Sequence, residues 1–158
     1  MKNLIYLLLV IAMMVVGAVA QAQHGKIPKI GFLFVSSLPA NSTRIEAFKQ
    51  GLGELGYKEG ENIVIEWRSA DGNLDRVPAL AAELARLKID IILTAGPAAT
   101  RPAKEATVSI PIVMAQNTDP VGNGFVSSLA RPGGNITGLS TISPELSGKQ
   151  LEILKEIM

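Results

Sequence analysis

From residue 28 onward, short β-branched and apolar runs alternate with segments whose apolar residues recur at helical spacing. "KIGFLFVS" (29–36) is almost wholly apolar, as expected of a strand covered on both faces. "NSTRIEAFKQGLGELGY" (41–57) follows, with Ile45, Phe48, Leu52 and Leu55 on one helical stripe and Thr43 and Glu46 spaced as a capping box. "NIVIEWRS" (62–69) alternates and predicts a second strand nearer a sheet edge. A second helix is expected from Asn73 or Asp75, with Pro78 in its first turn and Val77, Leu80, Leu84 and Leu87 buried.

"IDIILT" (89–94) and "IPIVMA" (110–115) predict strands three and four, and "GPAATRPAKEAT" between them predicts a helix. Pro102 should either delay the start of that helix to Thr100 or kink it, because proline offers no N–H to the preceding turn. A short helix over 121–130, a fifth strand over 135–140 and a fifth helix with Ser143 as N-cap and Pro144 at N1 complete the pattern. Strand and helix in regular alternation predict an α/β fold: a three-layer, doubly wound, parallel five-stranded sheet joined by helical crossovers.

Gly51, Gly53 and Gly56 match the spacing of a dinucleotide-binding turn, but their setting does not. A phosphate-binding glycine turn follows a strand and opens a helix, so that free N–H groups face the pyrophosphate. These glycines close a helix, with Gly56 placed as a left-handed C-terminal cap. Gly51 and Gly53, poor helix formers by about 1 kcal/mol each relative to alanine, suggest close packing on the sheet.

Residues 1–22 place Lys2 ahead of an apolar run from Leu4 to Val16, then Ala18, Ala20 and Ala22. That layout predicts a signal peptide cut after Ala20 or Ala22, and hence a periplasmic or secreted protein. The rival is an uncleaved anchor, since the run just reaches the lower limit of a spanning helix. Residues 23–28 read as a tether. The net charge is +1, and removing Lys2 from the 15 basic side chains leaves 14 against 14 acidic ones. A neutral chain gives no electrostatic footprint for nucleic acid. With no cysteine, stability rests on a packed core, and no lipid-attachment residue is present.

Catalytic chemistry is scarce. His24, the one histidine, falls in the tether, and no nucleophile elbow or Walker loop occurs, so the sequence supplies no catalytic residues, metal ligands or cofactor site. A receiver domain would need an aspartate where Thr94 stands and acidic residues where Ser36 and Ser37 stand. What the carboxyl ends of the strands offer is hydrogen-bonding side chains and bare backbone: Ser36 and Ser37, then Thr94 with Gly96, Pro97, Ala98 and Ala99, then Asn117 and Asp119. In a doubly wound sheet that rim takes the ligand. Gly96–Ala99 also leaves a helix N-terminus open to a carboxylate, while Asp119 serves equally as a cap for the following helix. Trp67 and Tyr57 read as packing residues rather than stacking platforms.

Four blocks, "AFKQGLGELGYKEGENIVIEWRSADGN", "RVPALAAELARLKIDIILTAGPAAT", "IPIVMAQNTDPVGNGFVSSLARPGGNITGLS" and "LSGKQLEILKEIM", resemble the ABC-transporter substrate-binding family, in its group of tryptophan- and tyrosine-type periplasmic receptors. The resemblance covers residues 29–158 and implies two α/β lobes closing on a small solute, possibly an amino acid, for delivery to an ABC permease in the inner membrane. It implies ligand contacts from Ser36 and Ser37, from Gly96–Ala99 and from Asn117–Asp119. On this reading residues 29–142 form the N-terminal lobe of a monomeric receptor. Residues 143–158 start a crossover helix toward a second lobe, because the chain stops inside an apolar helical pattern without a cap. The alternative is an exported sensory or regulatory ligand-binding module.

Overall fold

The computed structural model describes residues 26–141 and 143–157. The leader, and the part of the tether that carries His24, lie outside the described residues. Five strands, β1 (Lys29–Phe34), β2 (Val64–Ser69), β3 (Ile91–Ala95), β4 (Ile112–Thr118) and β5 (Ile136–Thr141), form one sheet in the order β2-β1-β3-β4-β5. Every neighbouring pair is parallel. The α-helices are α1 (Ser42–Glu54), α2 (Val77–Arg86), α3 (Pro97–Ala106) and α4 (Ser143–Ile157). Among the described residues no helix is long and apolar enough to cross a membrane.

Burial divides the sheet into two faces. On one, Leu33, Ile92, Ile112, Met114 and Ile136 pack with Val77, Ala81 and Leu84 of α2 and Ala99 and Ala103 of α3. On the other, Phe32, Phe34 and Leu93 meet Ile45 and Phe48 of α1 and Trp67 of β2. Phe32 stacks between Phe34 and Trp67, with ring centroids 4.1 and 5.5 Å away, so Trp67 is a packing residue as expected. Tyr57 instead stays 41% exposed. With α1 on one face and α2 and α3 on the other, the chain reverses direction across the sheet between β1 and β3. That is the switch point of a doubly wound sheet.

Several local expectations change. Asn41, not Thr43, stands at the N-cap of α1, after a single 3₁₀ turn over Pro39–Asn41. Gly56, at φ 84°, does follow the C-terminus of that helix. Gly51 and Gly53 do not pack on the sheet: nothing lies within 4 Å of where a Cβ would stand on either. A 3₁₀ turn over Leu74–Arg76 leads into α2, Asn73 Oδ1 accepting from Asp75 N at 3.0 Å, and Leu87 is 39% exposed rather than buried. α3 runs unbroken from Pro97 with Pro102 inside it. The one carbonyl Pro102 leaves without a helical partner belongs to Ala98, an exposed residue, so water can take the place of the missing N–H.

No helix forms over 121–130, which the structure folds as turns and bends. Asp119 and Gly124 take positive φ (44° and 69°), and both Phe125 N and Val126 N donate to Pro120 O. Phe125 and Val126 from this segment nonetheless cover the core face that a helix would have covered. β4 runs three residues past its expected end, with a register shift between Met114 and Asn117.

Candidate functional site

The carboxyl ends of β1, β3 and β4 surround a cavity of about 260 Å³. Ser36 and Arg44 approach it from the β1 side, Gly96 and Pro97 from the β3–α3 turn, and Gln116 and Asn117 from the end of β4. A larger hollow of about 440 Å³ lies beside Lys104, the 124–127 turn and the entry to β5. It is away from the switch point, and the smaller cavity is therefore the candidate site.

The β1 loop is shaped by a residue the rim inventory left out. Asn41, 3% exposed, donates from Nδ2 to Ser36 Oγ at 2.6 Å and to the Ser37 carbonyl at 2.9 Å, while Ala40 N donates to Ser37 Oγ at 3.4 Å. Ser36 is exposed at the mouth of the cavity and Ser37 turns its hydroxyl back into the loop. The signal in the sequence was an asparagine just beyond a serine pair, since asparagine bridges nearby backbone in turns.

Beneath the β3–α3 turn is a buried polar network. Thr100 Oγ1 donates to the Gly96 carbonyl at 3.0 Å and accepts from Asn117 Nδ2 at 3.0 Å. Since its single proton is already committed to Gly96, the 2.8 Å contact with Thr94 Oγ1 has Thr94 as donor. Thr94 and Thr100 are fully buried. This network holds Gly96, at φ 82° a conformation glycine takes without strain, as the N-cap of α3, and Gly96 N donates to the Gln116 carbonyl at 2.8 Å. Asn117 Nδ2 also reaches Met114 Sδ at 3.2 Å, while Asn117 Oδ1 is buried and has no partner. A buried acceptor left unpaired costs about 1–3 kcal/mol.

The residues singled out from the sequence thus separate. Ser36, Gly96, Pro97 and Asn117 meet at the cavity. Ser37 lies beside it, and Ala98 is exposed on the first turn of α3. Thr94 and Ala99 are fully buried, beneath the surface rather than on it, because β3 and α3 press their small side chains into the core. Asp119 is exposed in the turn after β4, where its Oδ1 accepts from Gly122 N at 2.8 Å, so it caps a turn and not the expected helix. Arg44, which no sequence motif marks, reaches the rim from the first turn of α1. Among the described residues no cluster of metal-ligating side chains occurs.

The geometry is an open cleft between strand ends, its apolar side chains Phe34, Val35, Ala95 and Pro97 interspersed with hydroxyl and amide groups and one cation, Arg44. Comparison with known proteins agrees in kind. The family model for ABC transporter substrate binding proteins matches residues 29–158. Over 129 residues the chain is 34% identical to a tyrosine-binding protein of Clostridioides difficile (strain R20291), a match covering 81% of this chain and 36% of the relative. A solved domain from Streptococcus pneumoniae in complex with L-Trp superposes with a TM-score of 0.67 at 31% identity, covering 73% of this chain and 39% of that one. A conserved domain protein from Vibrio cholerae gives a TM-score of 0.73 at 32% identity, covering 84% and 44%. The chain thus spans less than half the length of each of these relatives. The sheet order, the cleft at its switch point and the match from Lys29 to Met158 place this chain in the ABC transporter substrate binding protein family.

Proposed function

We propose that the chain forms one wall of an extracytoplasmic receptor that binds a small polar solute and hands it to the permease of an ABC import system. The solute we assign is an amino acid, with an aromatic side chain as first choice, in line with the tyrosine and L-Trp of the relatives. The observation that carries the reading is the cavity at the ends of β1, β3 and β4, whose lining offers hydroxyl, amide and guanidinium groups but nothing arranged for bond breaking. Ser36, Ser37, Gly96, Pro97, Ala98, Asn117 and Asp119 remain the proposed ligand-binding set, with Thr94 and Ala99 supporting them from below. Closure of a second wall over a bound solute would supply the working step, because a ligand shifts an open–closed equilibrium by its differential affinity for the two states.

A thermal-shift screen of the standard amino acids against the protein, followed by calorimetry on the hits, tests this. A rise in melting temperature with L-tryptophan or L-tyrosine that grows with ligand concentration is expected. No shift with any amino acid would overturn the assignment of solute.

A further inference from the structure

The turn after β4 contains Asn123-Gly124, the one place in the chain where an asparagine precedes a glycine. The asparagine side chain latches this turn. Asn123 Nδ2 donates to the Thr118 carbonyl at 2.9 Å and to the Asp119 carbonyl at 2.8 Å, and Asn123 N donates to the same Asp119 oxygen at 3.0 Å. Both partners of the side chain are acceptors, so the position requires an amide nitrogen and uses both of its protons. The latch has consequences beyond itself. Thr118 is the last residue of β4, and Phe125 and Val126 enter the core with both of their N–H groups on Pro120 O. α3 reaches the same turn through Lys104 Nζ, which donates to the Gly124 carbonyl. Asn123 therefore helps to set how the end of a central strand is joined to the residues that cover the core.

The same residue is open to chemical attack. Glycine stands at 124 for its conformation, φ 69°, and not for want of space, since nothing lies within 4 Å of where a Cβ would stand. The Gly124 amide thus has no side chain to shield it and lies in exposed backbone outside any helix or strand. Asparagine is among the thermolabile residues, and a following glycine lets the backbone nitrogen reach the asparagine side-chain carbon with least hindrance. One hydrogen bond within the turn, from Gly124 N to Val121 O at 2.9 Å, restrains that nitrogen. Surface turns of this kind open at far lower cost than the whole fold.

We infer that Asn123 is a self-modification site, at which the folded protein converts to isoaspartate and aspartate and thereby releases the turn after β4. Gly124 N gives up its proton and bonds to Asn123 Cγ. The Cγ–Nδ2 bond breaks, Nδ2 leaves with that proton as ammonia, and a five-membered imide closes. One water then opens the ring. Attack at Cγ leaves aspartate; attack at the backbone carbonyl carbon leaves isoaspartate, whose main chain runs through Cγ and is longer by a carbon. Either product exchanges two N–H donors for a carboxylate that can only accept, so the Thr118 and Asp119 carbonyls lose their side-chain donor.

The test is to age the purified, folded protein in warm, mildly alkaline buffer and map its peptides by mass spectrometry, with an isoaspartyl methyltransferase as an independent measure of isoaspartate. Modification should accumulate at Asn123 and spare Asn62 and Asn73, exposed asparagines that precede the bulky Ile63 and Leu74. Asn123→Gln, whose longer side chain closes a ring far less readily, should give no methyltransferase signal above background. Asn123→Asp makes one product directly and should melt about 4–8 °C below the parent. Where that variant does not fold, the modified fraction of the aged protein, separated by its added negative charge, is melted in its place. If Asn123 is modified no more than Asn62 and Asn73, the turn protects it and the inference is wrong. If it is modified but the product melts with the parent, the modification stands and the release of the turn does not.

Discussion

The hydroxyl of Thr100 accepts from Thr94 and Asn117 and donates to the Gly96 carbonyl, so one buried oxygen joins β3, α3 and β4 beneath the cavity. Thr100→Val keeps the shape and removes that junction, leaving Thr94 Oγ1 and Asn117 Nδ2 short of an acceptor. The expected cost is about 1–3 kcal/mol in urea unfolding, with Thr100→Ser losing less, and an unchanged midpoint in the valine variant would show that the network does not hold the rim. At this scale the sequence is only half legible. It shows polar residues at strand ends, but not which way they point. Met114 and Asn117 are three apart, a spacing that in a regular strand puts them on opposite faces. The register shift between them brings both into the same core face, where their side chains touch. No residue type announces that irregularity, and for that reason Asn117 reads from sequence as a loop residue. Arg44 reads from sequence as an exposed helix residue, because nothing in its spacing shows that the first turn of α1 abuts the ends of β3 and β4.

Elements were more readable because periodicity averages over many side chains. Five strands and four of the five expected helices are where apolar spacing puts them. Over 121–130 two glycines and the preceding Asp-Pro step override the helical pattern, and the segment reaches the core with Phe125 and Val126 while folding as turns. Pro102 shows the reverse error, a breaker given too much weight. Because the Ala98 carbonyl is left without its helical donor, Pro102→Ala should restore one backbone bond in α3 and stabilise the fold by about 1–3 kcal/mol, read as a higher urea midpoint with an unchanged slope. A loss of stability would mean that the proline ring, itself half-buried, contributes packing that outweighs the missing bond. At the β2 edge, Glu59 accepts from Trp67 Nε1 at 2.8 Å and pairs with Lys49 at 2.6 Å, tying the edge strand to α1. Partial burial pushes the Glu59 carboxyl up, but the hydrogen bonds from Lys49 and Trp67 outweigh it and hold the group below its ordinary value. A carboxyl lowered by folding contributes stability that is fully present above its unfolded value of about 4.3 and is lost as pH falls through the lower folded value. The melting temperature of Glu59→Gln should therefore lie below that of the parent at about pH 6, with the gap closing toward about pH 3. A gap that holds constant or widens in acid would contradict the shift.

At the scale of the molecule, a parallel sheet wound both ways and a site at its switch point are expected from the alternation, while the strand order that puts that point between β1 and β3 is read from the structure. The binding cleft does not follow from this chain alone. Its cavity is an open shelf at the strand ends, and the tyrosine-binding relative and the relative solved with L-Trp have more than half of their length outside the match. Several apolar side chains point away from any cover among the described residues: Leu139 is 70% exposed, and along α4 Leu151 and Ile157 are 68% and 77% exposed. The two core clusters lie on either face of the sheet, the larger on the α2 and α3 side, and hold the shelf in shape from below. Micromolar affinity requires about 8 kcal/mol of binding free energy and millimolar about 4. A single wall offers a ligand one guanidinium and a few hydrogen bonds, each worth about 0.5–3 kcal/mol net, against the loss of translational and rotational freedom. The 158-residue chain should accordingly bind L-tryptophan no more tightly than about millimolar, which calorimetry measures directly. Micromolar affinity would mean that the shelf alone supplies the grip.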